Sequence, residues 1–252
     1  MKRYRGLIPA LVLAVLAVLG LRLFLVSLLV IPQDGERPVF RAGDRVWVSR
    51  LSYGLRLPGM RWWGYVRLFP RAVSAGEWVA FNNPVDTVEA VTDAREVFVG
   101  RCLAAPGDTV WINTLGKASC VRNRRTGCVW PLTVPAKGRR IKVEPWNAYM
   151  YARTINAHEP VKAAVIDNKL CVDGRIVDSY RFQKDYCWMT TGNTVNRYDS
   201  RVFGFVPSDH LIGRMCRVLY STDSSRPWYK RFRPDRFFLK IPVGCSRCNS
   251  KK

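Results

Sequence analysis

A mainly β fold, an antiparallel domain behind one N-terminal transmembrane helix, is predicted for this chain on three observations. An uninterrupted apolar segment lies near the N-terminus. Short alternating or β-branched runs, separated by turn residues, fill most of the remaining chain. Helical periodicity is scarce beyond the apolar segment.

The anchor comes first. After the basic residues Lys2, Arg3 and Arg5, no charge occurs from Leu7 to Leu21, and only Arg22 interrupts the apolar run to Ile31. Roughly 20 apolar residues, each rising about 1.5 Å, cross a bilayer core, so the segment is long enough to span. The basic tail, residues 1–6, places the N-terminus in the cytoplasm and the bulk of the chain outside it. No small-x-small site comes after the run, so residues 7–31 are expected to stay as a single-pass anchor in the cytoplasmic (inner) membrane, with Arg22 near the far headgroups.

Residues 32–223 carry the β pattern. The runs "RVWVSRL", "EWVAFN", "EVFVGRCL", "TVWIN", "AAVIDNKLCVDG", "RIVDSYRF" and "CRVLYS" are punctuated by turns at Asn82 to Pro84, Pro106 to Asp108 and Val172 to Gly174. Residues from about 114 to 159, rich in basic residues and prolines, are expected to form an insertion or smaller subdomain. Residues 224–252 mix aromatics with Arg and Lys and are expected to be a basic aromatic tail that could lie on anionic headgroups.

Charge narrows the function. Lys and Arg total 41 against 19 Asp and Glu, a net charge of +22, which calls for an anionic neighbour. The cations are spread along the chain and not gathered into one run, so an anionic lipid membrane is the expected partner and nucleic acid is not. With 48% hydrophobic residues the chain is not disordered. Eight cysteines suit an oxidising compartment; Cys120 and Cys128 flank a loop as a local pair, and Cys245 with Cys248 forms "CSRC". A zinc site would need further ligands, and the chain has only His158 and His210, so neither a metal nor another cofactor is expected.

The order of segments resembles bacterial signal peptidase I, a membrane-anchored serine protease that removes secretory signal peptides. The resemblance rests on Ile31-Pro32 with Pro38 and Gly43-Asp44, then "LSYGLRLP" from Leu51, "AGEWVAF" ending at Phe81, "GRCLAAPGDTV" from Gly100, and "WMTTGNTVNRYDSRVFGFVPSDHLIG" from Trp188. It implies a serine nucleophile, a neutral lysine as general base, and signal peptides or other membrane-emergent segments as ligands. A lysine serves as a base only when desolvation depresses its pKa.

Matched residue by residue, the nucleophile position falls on Gly35, the base position on Gly100, and the base-supporting serine on Arg197. A slip in alignment does not rescue the pair. No Ser or Thr lies between Ser27 and Ser49, and no Lys between Lys2 and Lys117. Arg101 cannot take over, since a guanidinium stays protonated. What remains is a scaffold: Gly43, Asp44, Arg101, Pro106, Gly107, Asp108, Asp199, Ser200 and Arg201, with Asp199 and Arg201 resembling the family's ion pair.

Cys102 shares a strand face with Gly100 and is the replacement nucleophile to weigh against a buried or disulfide-bonded cysteine. Asp34 and Glu36 flank Gly35 and form a conceivable acid–base pair or a solvated acidic loop. His210 is given no catalytic part. The sequence leaves three readings: a family member that binds signal peptides without Ser/Lys catalysis; an active endopeptidase with a replacement nucleophile or a site completed by a partner membrane protein; and a basic membrane-surface binding protein.

Overall fold

The computed structural model describes residues 9–15, 20, 26–31, 39–57, 65–85, 92–113, 118–119, 129–191 and 199–243. The strands that frame the argument are β1 (Val26–Val30), β2 (Asp44–Ser49), β3 (Trp78–Asn82), β4 (Val97–Ala104), β5 (Thr109–Asn113), β6 (Val129–Thr133), β7 (Tyr186–Thr190), β8 (Leu211–Ser221) and β9 (Leu239–Lys240). The helices are α1 (Ala148–His158) and α2 (Ser200–Phe203). The chain is mainly β, with antiparallel pairing throughout these strands. It divides into two compact units, one from Met1–Asp34, Phe40–Arg71 and Gly213–Ile241, the other from Gly35–Val39, Ala72–Ile212 and Pro242–Lys252.

In the first unit β2 lies between β1 and β8, and β9 pairs with β8. Alternation along "DRVWVS" puts Val46 and Val48 inside and Trp47 outside, as a half-buried strand requires. Part of the expected anchor is thus strand: Val26–Val30 pairs with Arg45–Ser49. An apolar run rich in β-branched residues suits either a helix or a strand, and here the partner strand decides. Residues 9–15 are helical; among the described residues no helix is long and apolar enough to cross a membrane.

The turn into β2 depends on Gly43. Its φ is 85°, and a Cβ there would fall 1.8 Å from the Thr222 carbonyl oxygen, so no side chain fits. Asp44, fully buried, accepts from the Arg41 N–H (2.9 Å) and from Arg236 Nε (2.9 Å). Arg236 is itself only 4% exposed, so the two form a buried ion pair 192 residues apart in sequence. Residues 224–241, expected as part of a tail, are therefore built into this unit. Arg233 also donates to the Ala42 carbonyl and the Ser221 hydroxyl, and Phe238 N–H donates to Leu219 O.

The second unit has one apolar core, to which Val110 on β5, Leu132 on β6, Tyr151 and Ile155 on α1, and Phe182, Tyr186 and Trp188 contribute. β6 pairs with β5, so residues of the expected insertion share this core with strands outside it. Burial pushes the Tyr151 and Tyr186 phenols well up, and both act as donors, Tyr151 to Thr133 O and Tyr186 to Glu159 Oε1, each at 2.9 Å.

Candidate functional site

Of the site positions that the structure describes, Gly100, Arg101 and Cys102 lie on β4, Pro106 to Asp108 follow it, and Asp199 to Arg201 lie at α2, all in the second unit. Along β4 the alternation turns Gly100, Cys102 and Ala104 inward. Gly100 stands opposite Val79 of β3. On its other edge, among the described residues, β4 pairs with β7 through Arg101 with Thr190, Cys102 with Met189 and Ala104 with Trp188, with a register shift between Trp188 and Met189.

Gly100 is buried, and its surroundings are closed. A Cβ at this position would lie 3.2 Å from the Phe81 ring edge, 3.4 Å from the Thr190 carbonyl oxygen and 3.6 Å from the Met189 Cβ. The Phe81 ring is itself held by Phe98 and Phe203, at centroid distances of 6.2 and 6.0 Å. Aromatic packing therefore crowds the point from which a side chain at residue 100 would start. Phe81, Met189 and Thr190 escape a sequence reading, because their approach to Gly100 arises from cross-strand register and not from any motif.

Asp199 and Ser200 fix the end of β7 on this site. Asp199, fully buried, caps α2 by accepting the Arg201 N–H (3.0 Å) and takes the Arg201 guanidinium through Nε at 2.8 and 2.9 Å. It also accepts the Thr191 N–H at 3.3 Å. Ser200 Oγ accepts the Met189 N–H at 2.8 Å beside the register shift. This hydroxyl is wholly buried and serves the backbone of β7.

Pro106, Gly107 and Asp108 form the turn that ends β4. Gly107 has a φ of 88°, and its N–H donates to Val134 O, while the Asp108 carboxylate accepts the Ala105 N–H at 3.0 Å. Cys102 is 0% exposed, and its thiol points to Ala104 O at 3.4 Å. Burial first, and the neighbouring Cys102 second, push the Cys187 thiol well up. This pocket of sulfur is apolar and closed to solvent, the reverse of what activates a thiolate. Cys171 and Cys216 are the other thiols among the described residues. Gly35, Asp34, Glu36 and Arg197 lie outside the described residues, as do Cys120, Cys128, Cys245 and Cys248. Gly43 and Asp44 belong to the first unit.

Residues 4–220 match the family described as signal peptidase, peptidase S26. The chain belongs to that family. It is 27% identical over 203 residues to the probable signal peptidase I-2 of Synechocystis sp., covering 81% of this chain and 67% of that protein. It is 22% identical over 229 residues to signal peptidase I of Buchnera aphidicola subsp. Schizaphis graminum, covering 80% of this chain and 70% of that one. A shorter match, 29% over 106 residues, joins it to the probable signal peptidase I-1 of Synechocystis sp.. The mainly β antiparallel architecture fits this S26 membership.

The second unit of this S26 protein also brings its two histidines together. His158, at the end of α1, and His210 meet with ring centroids 5.4 Å apart, beside the Lys184–Asp209 ion pair (2.7 Å). Among the described residues no group of three His, Cys, Asp or Glu side chains is placed to hold a metal. Burial, then the charge of His210, drives the His158 imidazole down to about 3, against the opposing pull of Asp209; Lys184 and Arg95 add to the depression. An unfolded histidine near 6.5 binds a proton that folded His158 refuses. The contribution is present above about pH 6.5 and is lost as pH falls toward 3. Thermal melts at constant ionic strength should therefore fall between pH 7 and 5, by at most about 1.4 kcal/mol per pH unit from this residue. His158→Gln should flatten that slope, and an unchanged slope would refute the assignment.

Proposed function

We propose that this family member engages the signal peptides of exported proteins by binding them, without Ser/Lys cleavage. Its membership of the signal peptidase S26 family supports the ligand class. One observation carries the rest: the position that resembles the family's base is a buried glycine whose Cβ space is bounded by Phe81, Met189 and Thr190. The nucleophile and base-supporting positions, Gly35 and Arg197, lack a hydroxyl as well.

Peptide capture by strand addition suits the Val97–Gly100 part of β4. Among the described residues β7 pairs with β4 at Arg101, Cys102 and Ala104, and an extended segment added to this sheet would contribute main-chain hydrogen bonds. The part of the apolar run ahead of β1, residues 7–25, would hold the protein in the inner membrane as a single-pass anchor, N-terminus inside, where such segments emerge, alone or beside a partner membrane protein.

The test is a preprotein incubated with the purified full chain in liposomes, next to its Cys102→Ala variant. The expected result is an intact preprotein in both, with a fluorescently labelled signal peptide bound by both at equal affinity. Cleavage by the natural chain would overturn the proposal, and its loss in Cys102→Ala would move the nucleophile to that thiol.

A further inference from the structure

A cleft of about 280 Å³ opens in the second unit, between the β5–β6 ladder and the segment that leads into α1. Its floor is the outward face of that ladder. Val110 and Leu132 point into the core, so the directly opposed Thr109 and Thr133, with Pro131, turn the other way.

The facing wall, residues 139–147, is fixed before any ligand arrives. Arg140–Lys142 is a strand paired with Ser179–Arg181, and Ile141 within it is buried. Val143 N–H donates to Asp178 O, and the Glu144 carbonyl receives the N–H groups of Asn147 and Ala148 at the start of α1. A wall held in this way loses little freedom on binding.

Charge inside the cleft is out of balance. Lys142 has its countercharge in Glu144, at 3.2 Å. The other Glu144 carboxylate oxygen accepts the Trp146 indole N–H at 2.8 Å; that bond first, and Lys142 second, hold the carboxyl below its usual pKa. Both oxygens are thus engaged. Arg139 donates to a carbonyl, Gly107 O at 3.4 Å, and among the described residues neither Arg139 nor Arg140 has a carboxylate partner. Two guanidiniums stand at one cleft without an anion.

Asn147 adds a donor of another kind. Its Oδ1 accepts the Glu144 N–H at 2.8 Å, which leaves the amide nitrogen without a hydrogen-bond partner among the described residues, although Asn147 is only 5% exposed. A buried amide is paired as a rule, and this one lines the cleft. Beside these donors the Trp146 ring, pinned through its N–H, joins Pro131 and Ile141 in an apolar lining.

A ligand matched to this lining is anionic, rich in acceptors, apolar on one flat face and about as large as one ring unit. A pyranose with an acid group meets all four demands. Its C–H face rests on an indole, its hydroxyls suit threonine and amide partners, and its carboxylate or phosphate takes the planar guanidinium fork.

We propose that this cleft binds an acidic sugar unit, a pyranose bearing a carboxylate or a phosphate, with Arg139 and Arg140 on the anion and Trp146 against the ring. An acidic peptide would satisfy the guanidiniums, yet its backbone offers the indole no flat apolar face. The site shares no residue with the signal-peptide reading, and either stands if the other falls.

The full chain in detergent micelles is titrated with glucuronate and with a glucose monophosphate, next to glucose, inorganic phosphate and an acetylated tri-aspartate peptide. Binding is followed by saturation-transfer NMR of the ligand and by tryptophan fluorescence. At least one acidic sugar should saturate with a Kd of about 1 mM or tighter, which so small a ligand reaches in a formed cleft. The tighter of the two names the anion. Arg139→Gln/Arg140→Gln should weaken that sugar roughly 10- to 100-fold, the usual loss when charge-assisted hydrogen bonds go, at an unchanged melting temperature. Trp146→Phe should remove the fluorescence change. Failure of both acidic sugars to saturate, glucose or inorganic phosphate binding as tightly as they do, or tighter binding of the peptide would each overturn the assignment. So would a fluorescence change that survives in Trp146→Phe.

Discussion

Gly35→Ser/Gly100→Lys is expected to leave the protein without peptidase activity until Phe81 is shortened as well. A serine at 35 and a lysine at 100 restore the residue types that the resemblance requires, but a Cβ on residue 100 begins 3.2 Å from the Phe81 ring edge. That contact alone demands a shift of a few tenths of an ångström from a ring already held by Phe98 and Phe203. Overpacking of this kind costs about 1–3 kcal/mol, so the double variant should melt earlier than the natural chain. Phe81→Leu, added as a third change, removes the ring edge and leaves an apolar wall. That environment disfavours an ammonium and would lower the lysine pKa in the direction a general base needs. Single-turnover cleavage of a preprotein should then rise by about 10²- to 10⁴-fold over the double variant, the usual contribution of a positioned base. Equal activity in double and triple variants would show that Phe81 is not what closes the position.

The crowding at Gly100 also marks where the sequence stops being legible. The runs around "RVWVS" and "EVFVGRCL" became β2 and β4 because a strand buried on one face writes its alternation directly into the chain. The turn glycines are legible for a similar local reason: Gly43 and Gly107 both adopt positive φ. Helix α1 is written in the sequence too, since Ala148, Tyr151, Ala152 and Ile155 recur at helical spacing and are all buried. Its tyrosines and a flanking proline on each side, Pro145 and Pro160, give the segment the look of a loop. What local pattern does not carry is which distant residues meet. The closing of Gly100 by Phe81 and Met189 depends on the registers of β3 and β7 against β4. The retained Asp199 is legible from motif order alone, whereas its work, capping α2 and holding Arg201 and Thr191, is set by three-dimensional packing.

The largest stability effect should come from the pair that no local pattern suggests, Asp44 with Arg236. Both side chains are nearly excluded from water, and Asp44 has no exposed surface at all. Removing one partner leaves the other as an uncompensated buried charge, so Asp44→Leu and Arg236→Leu should each cost about 3–5 kcal/mol. For Arg236→Leu the loss should concentrate in residues 222–241, whose link to the turn at Gly43 and Asp44 runs through this guanidinium and through Arg233. Hydrogen exchange of that segment, read with a denaturant titration of the full chain, separates its local release from global unfolding. The double variant Asp44→Leu/Arg236→Leu should recover much of either single loss, because two apolar side chains need no compensating charge. Strictly additive losses would mean that the two side chains do not act as a pair, and the segment would then owe its place to β9 and the Arg233 contacts instead.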